Sequence, residues 1–550
     1  MTEPRLSTPI DAIAEAWVDT ETDLYPEYRV MLGRPGREGE YADYSPEGLA
    51  RVIEATTEVL AAISAAEPVD AVDEITKLDL SETLRLAVER QEAGLPLRDL
   101  NVIASPAQEL RDVFDLMPSE SEDDWARIAE RMHNLPAAMD GYLTTLRAGI
   151  REGVVPSVRQ VIAVAAQADR HAAPDGFFAD LAERGAHRAV ADRLATGAVA
   201  SATAYARLAS FLRNELAPVA TEADAVGRDL YSIASRGFLG ATIDLDETYE
   251  WGLEELARMS AEQEAIAKEI LPGASVQEAI AHLEADPSRT LQGTGALQAW
   301  MQETSDRAIE ELGRIHFDIP EQLRRLECMI APTQEGGIYY TPPADDFSRA
   351  GRMWWSVPEG VTRFSTWREL TTVYHEGVPG HHLQIGQAVH NRAQLNSWRR
   401  NAGTSGHAEG WALYAERLMA DLGYLEPAER FGMLDGQRMR AARVVLDIGV
   451  HLGKRMPGSS RSWTGDDAFG FLAANVTMDE AFVRFEVDRY LGWPGQAPSY
   501  KVGQRLWEQL RDEAAAREGA AFDIRSFHKR ALDIGGVGLD TLRFALAPRG

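Results

Sequence analysis

The sequence predicts a mainly α-helical protein that carries a small β hairpin or sheet near residues 335–357. Three observations predict this fold class. Ala, Leu, Val and Ile recur at spacings of three and four, between charged residues, from about residue 10 to 330. The composition then shifts to Gly, Pro and aromatic residues, and helical periodicity returns from residue 365. Hydrophobic residues make up 45% of the chain and charged residues 26%, which is typical of a globular protein with a large core.

The N-terminal helices begin with capping residues. The segments SPEGLARVIEATTEVLAAISAA and SPAQELRDVFDLM both start with serine, whose hydroxyl accepts hydrogen bonds from free N–H groups of the first turn. Short turns separate such segments, and the sequence has neither a Pro/Gly/Ser linker nor a repeat that would indicate a solenoid. We therefore expect residues 1–328 to form a stack of antiparallel helices that is continuous with residues 329–550.

The segment IAPTQEGGIYYTPPADDFSRAGRMWWSVPEG interrupts the helical pattern. It is poor in helix formers, and it contains two candidate strands, GIYY and RMWWSV, with turn residues between them. It directly precedes the helix that carries most of the unusual residues. The segment either forms a wall of a cleft or buries a helix end with its aromatic rings.

Charge and cysteine content exclude several classes of protein. The chain carries 56 Lys and Arg residues against 86 Asp and Glu residues, a net charge of −30, which would repel phosphate backbones. Cys328 is the single cysteine, so no internal disulfide can form. No apolar run is long enough to span a membrane, and the first residues lack the features of a signal peptide. We expect a cytoplasmic protein without nucleic-acid or membrane partners.

The segment HEGVPGHHLQ contains four residues that can bind a metal ion or transfer a proton, all within eight positions. They are His375, Glu376, His381 and His382. A catalytic zinc site needs two neutral imidazoles, a third ligand, an open position for water and a carboxylate beside that water. In the H-E-x-x-H helix the two histidines lie one turn apart on one face, and the glutamate points to the water. His-Glu followed by His supplies most of these groups.

The spacing of this cluster departs from the H-E-x-x-H pattern. Pro379 stands four residues after His375, and Gly380 follows it, so the helix is expected to break or bulge there. A two-residue insertion would return His381 to the position of the second ligand. On an unbroken helix His382, two turns after His375, would match better. The residues favour His381, with His382 as the alternative.

The segment TSGHAEGWALYAERLMADL predicts a second helix that supplies the third ligand. It begins with small capping residues, and Glu409 lies in its first turn, where the side chain can point out towards a metal ion. Glu416 follows two turns later on the same face. This position suits a carboxylate that orients a ligand imidazole rather than one that binds the ion.

A further helix, GQRMRAARVVLDIGVHLGK, is apolar except for one stripe. Arg440, Arg443, Asp447 and His451 follow spacings of three, four and four, so they share a face. Charges on such a helix must pair or face a polar cavity. Either Arg443 and Asp447 form a structural ion pair, or Asp447 or His451 supports the metal site and an arginine binds a substrate carboxylate.

The segment FEVDRYLGWPGQAPSYKVGQRLW predicts a loop that returns over a pocket, because a Pro-Gly turn lies between aromatic residues. Tyr500 could donate a hydrogen bond to a developing oxyanion. Arg489 and Lys501 could bind an anionic substrate end or anchor the loop.

Four motifs in order carry a likeness to a known family: HEGVPGHHLQ, GHAEGWALYAE, ARVVLDIGVH and DRYLGWPGQAPSYKVG. Over most of its length the chain resembles the bacterial domain-of-unknown-function family 885. That family is similar to helical gluzincin metallopeptidases, such as Taq-type carboxypeptidases, thimet-type oligopeptidases and angiotensin-converting enzyme. The resemblance implies an elongated helical body with a deep groove, a zinc ion on its floor and a short sheet along one wall.

The resemblance also implies roles for individual residues. His375 and His381 would be the first two zinc ligands, Glu409 the third ligand and Glu376 the general base, and Tyr500 would lie near the scissile carbonyl. Residues 1–328 would form one wall of the groove, and 329–550 would hold the metal site.

The sequence thus predicts a hydrolase with one zinc ion that cleaves short peptides, of the carboxypeptidase or oligopeptidase type. Glu376 would take a proton from the zinc-activated water and pass it to the leaving amine. Two alternatives stay open: a groove-containing binding protein that has lost catalysis, and a zinc hydrolase of a non-peptide amide or ester.

Overall fold

The computed structural model describes residues 4–332 and 337–548. Residues 335 and 336 of the predicted hairpin range lie outside the described residues. The first part contains the helices α1 (Pro9–Leu24), α2 (Pro26–Met31), α3 (Pro46–Ala65), α4 (Ala71–Glu92), α5 (Pro106–Leu116), α6 (Glu122–Glu152), α7 (Val158–Ala172), α8 (Phe177–Arg184), α9 (Ala191–Phe211), α10 (Arg228–Leu239), α11 (Leu245–Ile270), α12 (Val276–Glu284) and α13 (Thr294–Ile315). The predicted caps are present: the Ser45 side chain accepts from Gly48 N at the start of α3, and Ser105 forms a capping box at α5.

The remaining helices follow the change in composition. They are α14 (Thr366–Glu376), α15 (His381–His390), α16 (Ser397–Asn401), α17 (Ser405–Asp421), α18 (Pro427–His451), α19 (Gly465–Ala473), α20 (Glu480–Gly492), α21 (Gln496–Glu518), α22 (Ile524–Asp533) and α23 (Leu539–Leu546). The predicted mainly α fold is confirmed. Within the described ranges no helix is both long enough and apolar enough to cross a membrane.

Two small sheets accompany the helices. Their strands are β1 (Thr290–Gln292), β2 (Leu326–Ile330), β3 (Ile338–Thr341), β4 (Gly351–Trp355) and β5 (Arg363–Ser365). The two predicted strands form the antiparallel pair β3–β4, in which Tyr340 faces Met353. The sequence missed β2, which pairs parallel to β4 so that the order is β2-β4-β3, and it missed the antiparallel pair β1–β5. Pairing across a long connection leaves no local signal in the sequence.

The three-stranded sheet buries a helix end, which is one of the two roles considered for this segment, while its role as a cleft wall stays a prediction. Met353 and Trp355 are buried, and Met353 reaches the turn after α14, where its Cε lies 3.3 Å from the position of a Cβ on Gly377. On the other face Tyr339 is 40% exposed and stacks on Trp354 with ring centroids 6.2 Å apart. The sheet therefore buries the end of α14 and presents aromatic rings to solvent.

Among the described residues, the buried apolar side chains form three clusters. The largest extends from Ile75 to Leu542 and includes α11, α13 and most of the later helices. A second cluster, between Ala42 and Leu216, belongs to the N-terminal helices. A small third cluster joins α1 to Trp398 on α16. Helices before residue 328 thus contribute to the same core as helices from residues 329–550. A division of the chain into two parts at residue 328 stays a prediction.

Helix α17 packs very closely against α21. A Cβ on Gly410 would lie 2.4 Å from the backbone carbon of Gly503, and a Cβ on Gly503 would lie 2.3 Å from the carbonyl oxygen of Gly406. Only glycine permits this approach of two backbones. The contact brings Glu409 on α17 and Tyr500 on α21 to the same region of the molecule.

Candidate metal centre

The helix that carries His375 and Glu376 ends directly after them, and a new helix begins at His381. Gly380 N donates to the carbonyl of Tyr374 (3.1 Å) in the intervening turn. A Cβ on Gly380 would lie 1.9 Å from the carbonyl oxygen of His375, so only glycine fits against the end of α14. Trp411 Nε1 donates to the carbonyl of Pro379 (2.8 Å) and ties this turn to α17. The sequence predicted a break at Pro379, and the structure has it.

This break brings three potential ligands together. His375 Nε2 lies 3.2 Å from Glu409 Oε2, and His381 Nε2 lies 3.7 Å from the same oxygen. The two imidazole rings are nearly perpendicular, with centroids 4.8 Å apart. One ligand atom from each of the three residues lies within 4.8 Å of the others. These are the residues that the sequence favoured.

Glu416 holds the ring of His375. Its Oε1 accepts a hydrogen bond from His375 Nδ1 at 2.7 Å, and its Oε2 accepts one from Thr371 Oγ1 at 2.8 Å. Both carboxylate oxygens are therefore engaged, and Nε2 of His375 faces Glu409. This is the carboxylate–histidine arrangement that fixes the tautomer of a metal ligand. Glu416 has the place predicted from its spacing, whereas Thr371 was not predicted.

Glu376 lies buried beside the cluster. Glu376 is 5% exposed, and its Oε2 has no hydrogen-bond partner among the described residues. Burial raises the pKa of Glu376 above its usual range, although the nearby His381 and His375 oppose this shift. A carboxylate with a raised pKa and a free oxygen is suited to accept a proton.

The charges of the cluster depend on one another. Burial by itself would raise the pKa of Glu409, but hydrogen bonds with His375 and His381 hold it well below its usual range. Burial opposes the charged form of His375, yet hydrogen bonds with Glu409 and Glu416 raise its pKa to about 10. The site thus favours positive charge between its carboxylates.

His382 lies apart from the three potential ligands. Its Nε2 donates to the carbonyl of Leu323 (2.9 Å), and its Nδ1 accepts from the hydroxyl of Tyr340 (3.0 Å). Burial lowers the pKa of His382 to about 4, so the ring is neutral. Both nitrogens are engaged, and the alternative of His382 as the second ligand is therefore not supported. The ring instead connects α15 to strand β3.

The two arginines predicted to bind an anionic substrate share one carboxylate. Glu486 accepts from Arg443 Nη2 at 2.7 Å and from Arg489 Nη2 at 2.9 Å. Tyr490 donates to the same carboxylate and accepts from Arg443 Nε at 2.6 Å. The guanidinium of Arg443 also lies over the ring of Tyr500, with 5.2 Å to its centroid. Glu486 therefore holds both arginines, and Arg443 packs against Tyr500.

Tyr500 is surrounded by charge. Burial and the charge of Glu409 raise its pKa to about 12, while Arg443 and Arg489 oppose this rise. The phenol therefore stays protonated at neutral pH and is able to donate a hydrogen bond.

Asp447 and His451 hold the end of α20 and the loop that precedes α21. Asp447 Oδ2 accepts from Tyr231 Oη (2.7 Å) and from Gly495 N (2.8 Å). His451 Nε2 lies 3.1 Å from the carbonyl oxygen of Tyr490. The considered Arg443–Asp447 ion pair is absent from the described residues, because the partner of Arg443 is Glu486. These side chains position the loop rather than the metal cluster.

Lys501 is 2% exposed, and its Nζ pairs with Glu255 Oε1 (3.0 Å) and Gln504 Oε1 (2.9 Å). It thus joins α21 to α11, and the considered contact with an anionic substrate end is not available to it.

Glu486 and Tyr490 were missed by the sequence analysis. Their spacing of four on a helix that also carries Arg489 is a local signal that could have indicated a buried polar network.

The residues present fit a bound metal ion. The donor set is two imidazole nitrogens and one carboxylate oxygen, which is the set expected for a catalytic zinc site. The carboxylate–histidine contact from Glu416 and the free, buried oxygen of Glu376 also match such a site. His375, His381 and Glu409 would hold the ion.

Fold and site together define a mainly helical protein with a His-His-Glu group that could hold a metal ion. The chain belongs to the family described as bacterial protein of unknown function (DUF885), which matches residues 26–546. No curated protein matches the chain.

Two solved structures have a similar fold. A "putative lipoprotein" from Colwellia psychrerythraea has a TM-score of 0.85 at 21% identity, and the match covers 98% of each chain. A "putative lipoprotein of unknown function" from Shewanella oneidensis has a TM-score of 0.75 at 17% identity, covering 98% of this chain and 99% of that one. A Pyrococcus furiosus carboxypeptidase has a TM-score of 0.41 at 13% identity, over 99% of this chain and 96% of that one.

Proposed function

We propose that the protein is a zinc-dependent metallopeptidase that hydrolyses short peptides. The observation that supports this most is the convergence of ligand atoms from His375, His381 and Glu409 within 4.8 Å, with the buried carboxylate of Glu376 beside them. Three protein ligands leave the fourth position of a tetrahedral zinc ion open for water or substrate.

The chain's own residues would perform most steps of the reaction. Zinc, when bound, would supply a Lewis acid that polarises the scissile carbonyl and lowers the pKa of water to about 7. Glu376 would accept the proton of the attacking water at Oε2 and deliver it to the leaving amine. Glu416 would keep the ring of His375 oriented, and Tyr500 would donate a hydrogen bond to the oxyanion.

We further propose that the substrate is a short peptide and that neither nucleic acid nor a membrane is a partner. The net charge of −30 supports the exclusion of nucleic acid. A cytoplasmic location also stays a prediction. The word lipoprotein describes the two proteins of similar fold and not this chain.

A digest of a peptide library by the zinc-loaded protein, read by mass spectrometry, tests the proposal. We expect cleavage that a chelator abolishes and added zinc restores. Glu376→Gln should retain near-stoichiometric zinc in elemental analysis but lose at least about 100-fold in turnover, because the general base is removed. Glu254→Gln, at an exposed position of α11, is the matched control.

The other outcomes separate the alternatives. Unchanged turnover by Glu376→Gln would remove Glu376 as the base. Absence of near-stoichiometric zinc, even after reconstitution, would favour the binding protein that has lost catalysis. Zinc uptake without peptide cleavage would indicate a non-peptide amide or ester as the substrate.

A further inference from the structure

A cavity of about 550 Å³ lies between α4 and α10. The short 3₁₀-helix Leu95–Arg98 and the start of α5 extend the wall on the side of α4, and residues 491–494 before α21 extend the wall on the side of α10. None of the three potential metal ligands lines this cavity. Its volume is in the range of sites that bind small molecules. The cavity is therefore a candidate for a binding site separate from the metal centre.

The walls of the cavity are largely apolar and are fixed relative to each other. Phe238 on α10 packs edge-on against Trp493, with ring centroids 5.3 Å apart. The buried side chain of Gln160 connects both sides, because its Oε1 accepts from Val102 N (3.2 Å) and its Nε2 donates to the carbonyl of Asp488 (2.8 Å). Such a rigid, apolar recess is suited to receive an apolar group of a ligand.

Two adjacent residues of opposite charge line the cavity without pairing. Arg98 is partly exposed, and its guanidinium forms neither an ion pair nor a hydrogen bond within residues 4–332 and 337–548. The Asp99 carboxylate also lacks both kinds of contact in the described part of the chain, whereas the Asp99 backbone carbonyl accepts from Tyr142 Oη (2.6 Å). The backbone is thus held, and both charged groups are available to a ligand.

The other charged residues of the lining balance each other. Arg90 extends to α10, where its Nη1 lies 3.6 Å from the position of a Cβ on Gly237, and Glu109 accepts from the Tyr44 hydroxyl (3.3 Å). Asp224 is neutralised by Arg159, whose Nε lies 3.1 Å from Asp224 Oδ1. The cavity therefore favours neither a simple anion nor a simple cation, and a ligand that carries both charges fits it better.

The carboxylates of the lining lie in a recess rather than on an open surface. Asp99 is exposed, yet the surrounding protein raises its pKa to about 6, and Arg90 opposes this rise. Glu109 is exposed as well, and the surrounding protein together with Asp99 raises its pKa to about 7. A nearby ammonium group would stabilise the charged form of both carboxylates.

We propose that this cavity binds a zwitterion, either a free amino acid with an apolar side chain or a short peptide of such residues with free ends. Arg98 would hold the carboxylate through two parallel N–H···O bonds, and Asp99 would accept hydrogen bonds from the ammonium group. The apolar walls would receive the side chain. This inference goes beyond the proposed peptidase function and does not rest on it, because the potential metal ligands do not line the cavity.

Calorimetry with leucine and two blocked analogues tests the proposal. N-acetyl-leucine lacks the ammonium group, and leucinamide lacks the carboxylate. We expect leucine to bind with a Kd of about 1 mM or below, and each analogue to bind about 10- to 100-fold more weakly, because a charge-assisted contact is lost. Leucyl-leucine, measured with Glu376→Gln so that it is not cleaved, distinguishes the two sources: tighter binding than leucine indicates a short peptide, and weaker binding a free amino acid.

Two variants assign the contacts. Arg98→Met should weaken leucine binding about 10- to 100-fold, while leucinamide, which lacks the carboxylate, should bind as it does to the wild type. Asp99→Asn should weaken leucine binding similarly and leave the binding of N-acetyl-leucine unchanged. Asp192→Asn and Arg193→Met alter another adjacent pair of exposed charges, which lies on α9 outside the cavity lining, and should retain wild-type binding.

Removal of zinc by a chelator should leave leucine binding unchanged, and this measurement separates the inference from the proposed function. Leucine binding that disappears with the metal ion, or that survives both Arg98→Met and Asp99→Asn, would overturn the inference, because the ligand would then lie elsewhere. Absence of binding of both leucine and leucyl-leucine would also overturn it. Absence of peptide cleavage by the zinc-loaded protein would contradict the proposed function alone.

Discussion

Glu416 determines how His375 is presented to the other two potential ligands. The carboxylate binds Nδ1, so Nε2 faces Glu409 and His381. The neighbouring pair His381 and His382 shows the same principle. His381 contributes to the cluster, whereas both nitrogens of His382 are bound by Leu323 and Tyr340. At the scale of the residue, the partner of each ring nitrogen determines the chemistry that an imidazole can perform.

Replacing Glu416 by Gln should weaken zinc binding about 10- to 100-fold. The amide can still accept the hydrogen bond from His375, but it lacks the negative charge that makes the imidazole a better ligand. Competition with a chromogenic chelator measures the affinity. Glu254→Gln, which changes an exposed charge on α11, should have no effect. Equal zinc affinities for Glu416→Gln and the wild type would show that Glu416 does not support a metal ligand.

The break between α14 and α15 is the element that assembles the site. It spans residues 377–380 and returns His381 to the neighbourhood of His375. Trp411 on α17 holds the turn through the carbonyl of Pro379, and α17 also carries Glu409. The turn and the third potential ligand therefore depend on the same helix, whose own position depends on its close contact with α21.

Gly380→Ala should destabilise the protein by about 2 kcal/mol or more and should also weaken zinc binding. The added Cβ would lie 1.9 Å from the carbonyl oxygen of His375, so the end of α14 must move. Chemical denaturation and chelator competition measure the two effects. Gly470→Ala in α19 is a suitable control, because a Cβ there meets no atom within 4 Å. Wild-type behaviour of Gly380→Ala would contradict this account of the turn.

At the scale of the whole molecule, a buried histidine makes the stability of the large core depend on pH. His528 on α22 accepts a hydrogen bond from Tyr414 Oη at 2.8 Å and stacks on Phe317 with centroids 4.8 Å apart. Burial, together with the charge of Arg511, lowers its pKa from 6.5 to about 3. The folded core therefore contains a neutral imidazole that the unfolded chain would protonate in mild acid.

The free energy of unfolding should decrease as the pH falls from about 6.5 towards 3. Above this window His528 is neutral in both states, and within it only the unfolded chain takes up the proton. His528→Gln keeps an acceptor for Tyr414 and should reduce the slope of stability against pH in urea denaturation. His282→Gln, at an exposed position, should leave the slope unchanged. Identical slopes for His528→Gln and the wild type would refute the assignment.

Zinc should stabilise the folded chain as a whole. At a zinc concentration about 100 times its Kd, linkage predicts a stabilisation of about 2.7 kcal/mol. We expect a rise of Tm of a few degrees in thermal denaturation, and the rise should disappear in His381→Ala. His382→Gln should retain the rise, because this ring binds Leu323 and Tyr340 instead. A rise of Tm that is lost in His382→Gln but retained in His381→Ala would show that His382, and not His381, binds zinc.

The sequence by itself determined the mainly α fold, the family, the strands β3 and β4 and the group of residues around His375. These depend on periodicity, caps and short spacings, which act over a few residues. Only the tertiary structure decided that His382 binds Leu323, that Arg443 and Arg489 share Glu486, and that Lys501 pairs with Glu255. It also revealed the parallel pairing of β2 with β4. The physical reason is that a charged or polar side chain finds its partner across the packed core, where distance along the chain carries no information.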